Sequence, residues 1–181
     1  MWNYEKRLQF PINITSPNAM LAQAIISQYG GPDGEMGASM RYLSQRYAAP
    51  YREVASILTD IGTEELGHLE MVATIVHQLT KDLSMEEIEK SGFANYYVDH
   101  TVGIWPQAAG GFPFSAAQFQ STGDIITDLM EDMAADATLS NIQLHSYATS
   151  HNTEYHPYAI SHNTKISSVL RLGEDHPCAL Y

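Results

Sequence analysis

The chain has 181 residues, 44% hydrophobic and 17% charged, a globular composition that excludes a disordered or low-complexity chain. Its formal net charge of -12 argues against nucleic acid and anionic membranes as partners, while leaving cation binding open. Its single cysteine, Cys178, excludes an internal disulfide framework.

The first residues, MWNYEKRLQFPINITSPN, hold charges but no apolar run of the signal-peptide kind, so an intracellular chain is expected. No stretch approaches the roughly 18 consecutive apolar residues that a membrane span needs. Residues 1 to 15 read as extended, with Pro11 breaking any helix. Ser16-Pro17 reads as an N-cap followed by a first-turn proline, opening a helix that Gly30-Gly31 stops. Asp33 is placed to cap the next helix, GEMGASMRYLSQRY, which should end near Ala49-Pro50 because the residue before proline disfavours the α conformation.

The longest helix is expected over about 51 to 80. Its stripe is Val54, Leu58, Ile61, Glu65, His68, Val72, Ile75 and Leu79, alternating steps of four and three. That is an unbroken heptad seam, the pattern of a helix in a left-handed bundle. A short helix should follow Ser84, with Ser84 and Glu87 as a capping box. Residues 95 to 121 mix glycine, proline and aromatics without a period and read as a long crossover loop. A third bundle helix should begin near Thr122, with the seam Ile126, Leu129, Met133 and Asp136. Met36, Met40, Met71, Met130 and Met133 read as core filler. From about residue 137 the text turns rich in Ser, His, Asn, Thr and Tyr and loses helical periodicity. Within it Tyr147–Thr153 partly repeats as Tyr158–Thr164, and five of the eight histidines lie in this last quarter.

The seam carries the chemistry. An ionised carboxylate in a bundle core needs a compensating cation, because its unpaired burial costs several kcal/mol or more. Glu65 and His68, three residues apart, share one helix face and can address one cation. The preceding helix lines up Glu35, Ser39, Tyr42 and Arg46, a face more polar than structure alone requires. Asp136 is the carboxylate of the third seam. Three helices thus each bring an acidic group to a core position, a donor pattern of di-metal carboxylate bundles. Glu64 and Glu70 read as solvated. Tyr42 is either packing or a hydroxyl beside the ligands.

Four stretches, MWNYEKRLQFP, QYGGPDGEMGASMRYLSQRY, LTDIGTEELGHLEMVATIVHQLT and YYVDHT, resemble the manganese catalase family, most of all its short spore-coat branch, the CotJC type. The likeness covers about residues 1 to 135. It implies an all-α, ferritin-like four-helix bundle that holds two manganese ions and disproportionates hydrogen peroxide. It implies Glu35 and His68 as terminal ligands, Glu65 as a bridging carboxylate and Tyr42 near the metals. The family's third-helix glutamate falls on Asp136, one methylene shorter. The family's second Glu-x-x-His, on its fourth helix, has no counterpart after residue 68. The organisation expected is therefore a bundle domain over 1–136 and an atypical segment over 137–181. Two explanations stand open: a frameshifted or recombined tail, or a tail histidine such as His145, His151 or His156 replacing the missing ligand. The expected partners are hydrogen peroxide, further copies of the chain and other spore-coat proteins, and the expected location is the spore coat. Against the enzyme stand a structural coat protein on a catalase scaffold and another di-metal oxidase.

Overall fold

In the computed structural model, residues 5, 7–91, 104–108, 110–119 and 121–135 are described. Asp136 and the segment 137–181, singled out from the sequence, lie outside them. Within the described residues the structure is helical, without a regular strand; a lone antiparallel bridge joins Gln107 and Pro113.

Helix α1 spans Ala19–Gly30. Its cap is Asn18, whose side chain accepts from the Leu21 amide at 3.0 Å, and not Ser16 as the Ser-Pro signal suggested. A tertiary bond decides between the two caps: the Asn18 amide donates to the Leu79 carbonyl at 2.8 Å. Helix α2 spans Glu35–Gln45 with Gly34 at its cap. Asp33 does not cap it, because its carboxylate binds Arg41. The helix also ends earlier than Ala49. Helix α3 spans Arg52–Thr80, as the heptad pattern predicts, and all eight seam residues are buried. Helix α4 spans Met85–Lys90 with the expected Ser84–Glu87 capping box, and those hydrogen bonds hold the Glu87 carboxyl below its usual range.

Helices α1 and α2 form a broken rod lying antiparallel to α3. At one end Asn18 meets Leu79; at the other the Ser39 hydroxyl donates to the Gly62 carbonyl at 2.7 Å. The glycines make the close approaches. A Cβ on Gly62 would sit 2.8 Å from Leu43 Cγ, and one on Gly30 would sit 2.1 Å from the Gln107 amide nitrogen. Gly30→Ala is therefore expected to push the 106–107 backbone off α1 and destabilise the fold by about 1–3 kcal/mol, read as a lower melting temperature.

Two apolar clusters result. Ala22, Ile25 and Ile26 pack with Val72, Ile75, Val76 and Leu79. Ala38 and Tyr42 pack with Val54, Leu58, Ile61 and Leu129. On α3, the seam positions between these two groups are Glu65 and His68. The extended segment before α1 is tied down by Gln78, which accepts from the Ile14 amide at 2.6 Å and donates to the Ile12 carbonyl at 3.1 Å.

The last described helix, α5, covers 125–135. It does present Leu129, but its face is rotated from the expected seam. Ile126 is 41% exposed, and the buried positions are Asp128, Leu129, Asp132 and Ala135. Met133 only partly joins the core. Both buried aspartates have partners that offset their burial. Asp128 accepts from the Thr122 amide and hydroxyl and the Gly123 amide, at 2.8, 2.7 and 3.0 Å. Asp132 accepts from Gln45 Nε2 at 3.0 Å. Of the methionines expected as filler, only Met71 is fully buried; Met40 and Met130 are exposed.

Candidate metal centre

Glu35 arrives at the centre because α1 and α2 are interrupted. Ser39 lies against Gly62; one turn earlier on α2 is Glu35, and one turn later on α3 is Leu66. Glu35 is thus level with Glu65 and His68. It is also the first residue of its helix, delivered from the Gly31–Gly34 turn. The turn is held tightly, since a Cβ on Gly37 would lie 2.5 Å from the Pro32 carbonyl oxygen.

Glu35, Glu65 and His68 are 5%, 2% and 7% exposed, so water does little to solvate any charge they carry. His68 Nδ1 lies 2.7 Å from Glu65 Oε2 and 3.9 Å from Glu35 Oε2. An ionised Glu65 makes that nitrogen the hydrogen-bond donor. One ligand atom from each residue falls within 4.8 Å of the others. An ion with bonds of about 2.0–2.6 Å spans about 4–5 Å between opposite donors, so the trio fits one divalent cation. Two carboxylates and an imidazole suit manganese among other ions.

The remaining sequence candidates divide. Ser39 and Tyr42 are buried on the expected α2 face, with Tyr42 packed in the core cluster beside Leu58 and Ile61. Arg46 leaves that face: its Nη2 donates to the Tyr47 hydroxyl at 2.7 Å, and its guanidinium stacks 4.8 Å from the Tyr47 ring. Gln45 is the buried residue in its place. Glu64 and Glu70 are half-buried and line, with Glu5, Arg7 and Gln9, a cavity of about 1070 Å³ under the N-terminal segment. Asp136 lies one residue beyond the described part of α5. Sequence reasoning passed over Arg41, Asp128 and Asp132, which are buried as deeply as the candidate ligands.

A helical bundle that buries two carboxylates and a histidine together is a ferritin-like scaffold with a group able to hold a metal ion. The chain belongs to the manganese-containing catalase family, whose model matches residues 1–144. It is 49% identical over 136 residues to protein CotJC of Bacillus subtilis strain 168, covering 75% of this chain and 71% of that protein. It is 30% identical over 138 residues to a probable manganese catalase of Clostridium acetobutylicum, covering 75% of this chain and 61% of that one. In structure it is similar to KatB, a manganese catalase from Anabaena, with a TM-score of 0.72 at 22% identity over 99% of this chain and 78% of that chain. The last comparison establishes the bundle fold.

Proposed function

We propose that the chain is a manganese-dependent catalase that disproportionates hydrogen peroxide to water and dioxygen, in a spore-coat setting. The observation that carries this reading is the buried convergence of Glu35, Glu65 and His68 within 4.8 Å. In this reading those three residues hold the first ion, and Glu65 is shared with a second. Asp136 is the third-helix ligand, and the domain ends there, with 137–181 as a separate segment. In this reading Tyr42, two turns along α2 from Glu35, supports the ligands with its hydroxyl. A bound manganese pair would supply two-electron redox chemistry, oxidising one peroxide and reducing another. The chain's own part is to fix the ligands, to exclude bulk water with the two flanking apolar clusters, and to leave small peroxide as the substrate.

A second reading, a structural coat protein on the same scaffold, draws support from the segment around the Gln107–Pro113 bridge. There Trp105 and Phe112 are 55% and 71% exposed, a surface suited to assembly with further copies or other coat proteins. Dioxygen release from peroxide by the manganese-loaded full chain separates the two. The catalase reading expects sustained turnover that Glu65→Ala reduces to background. Manganese-loaded chain that releases no dioxygen favours the coat reading.

A further inference from the structure

Arg41 is a cation with almost no access to water: its side chain is 2% exposed. Burying a guanidinium is costly unless its hydrogen bonds and charge are met by partners. Its partners show where it acts. Nη2 donates to the Pro32 carbonyl at 2.9 Å and to Asp33 Oδ1 at 2.8 Å. Nη1 faces Glu131 of α5, with 3.8 Å between Nη1 and Oε1. The first two contacts grip the turn from which Glu35 emerges. The third, an ion-pair approach without a hydrogen bond, sets the same charge beside α5.

No side chain caps α2 at Gly34, and Asp33, the residue suited to do so, is engaged by Arg41 instead. The start of the helix, and with it the Glu35 backbone, is therefore held by the arginine clamp, by the close approach of Gly37 to Pro32 and by the Gly34 amide, which donates to the Gly31 carbonyl at 3.0 Å. Lysine cannot replace this function fully, because one ammonium set on the Pro32 carbonyl and Asp33 leaves no second nitrogen to face Glu131.

We propose that Arg41 is a positioning residue of the metal centre, holding Glu35 in place and keying α5 to it through Asp33 and Glu131. The proposal rests on the metal-centre reading above. It is tested on the full chain with Mn(II) alone, comparing affinity, the electron paramagnetic resonance line shape and thermal stability for Arg41→Met and Arg41→Lys.

Arg41→Met is expected to keep its helical circular dichroism, weaken Mn(II) by at least about tenfold, the lower end of what loss of a ligand-orienting partner costs, and broaden the resonance. Arg41→Lys should recover part of the affinity. Methionine binding Mn(II) as tightly as arginine, with the same line shape, would overturn the proposal. Should Arg41→Met not fold, Asp33→Asn and Glu131→Gln decide it. A weaker Mn(II) affinity in Asp33→Asn supports the clamp, and unchanged affinity in both overturns it. If the unaltered chain takes up no Mn(II), the metal-centre reading fails and the clamp fails with it. If the unaltered chain binds and the variants bind equally, the clamp alone fails.

Discussion

Replacing Glu65 and His68 together by leucine, in a Glu35→Gln background so that no charged carboxylate is left facing them, is expected to stabilise the metal-free chain and to abolish any stabilisation by manganese. Both side chains sit in the seam of α3 between two apolar clusters. Exchanging a buried polar pair for packed apolar residues is worth up to about 1–4 kcal/mol in favourable cases. For a chain of this size, each kcal/mol moves the melting temperature by about 2–4 °C. Conversely, an ion at a hundred times its dissociation constant stabilises the chain that binds it by about 2.7 kcal/mol. Thermal melts with and without manganese read both effects. The unaltered chain should gain several degrees from manganese. The double variant should start higher and gain nothing. A double variant that melts lower without metal would mean that the pair is a stabilising polar core and not a site held ready for a cation.

Asp128→Ala is expected to give the largest loss of stability outside the apolar core. The carboxylate is fully buried and accepts three hydrogen bonds from Thr122 and Gly123, folding the approach to α5 onto the helix's first turn. Hydrogen bonds to charged groups contribute about 1.5–3 kcal/mol each, but the exposed Thr122 and Gly123 can recover water. A net loss of about 3–5 kcal/mol follows, or roughly 6–20 °C in melting temperature. Asp128→Asn should cost less, because Oδ1 can still accept both Thr122 bonds, while an amide nitrogen turned toward the Gly123 N–H meets donor with donor. Equal losses in the two variants would point to packing rather than acceptor capacity.

Much of the site could be read from α3 alone. A heptad repeat survives because burial is a property of spacing, so Glu65 and His68 stand out as the two polar members of an otherwise apolar seam. Glu35 was legible by the same logic on a more polar face. What escaped was decided by polar partners that hydrophobic periodicity does not register. Asn18 wins over Ser16 because the Leu79 carbonyl waits for its amide. Asp33 looks like a cap until Arg41, two turns along, claims it. The rotation of α5 shows the same limit. Reading apolar as inside puts Ile126 in the core, yet the helix buries Asp128 and Asp132, whose partners are a neighbouring turn and Gln45, 87 positions away. Buried carboxylates with good partners are invisible to hydrophobic periodicity.

Those partners also bear on how the domain holds together. Gln45 with Asp132, and Arg41 with Glu131, join α2 to α5, and Arg41 with Asp33 holds the turn before α2. Apolar packing through Leu129 supplies the adhesion, and these polar contacts set the register. A site that relies on the register of several helices needs such contacts more than a purely structural bundle does.

The measurement that bears most directly on the central claim is manganese per chain, by elemental mass spectrometry, on full-length protein produced with manganese and freed of loose metal. The account predicts at least one ion per chain, lost in the Glu65–His68 double leucine variant. Two ions per chain would mean that a second half-site completes the pair. No retained manganese in the unaltered chain, or equal retention by the double variant, would contradict the assignment of Glu35, Glu65 and His68 as its ligands.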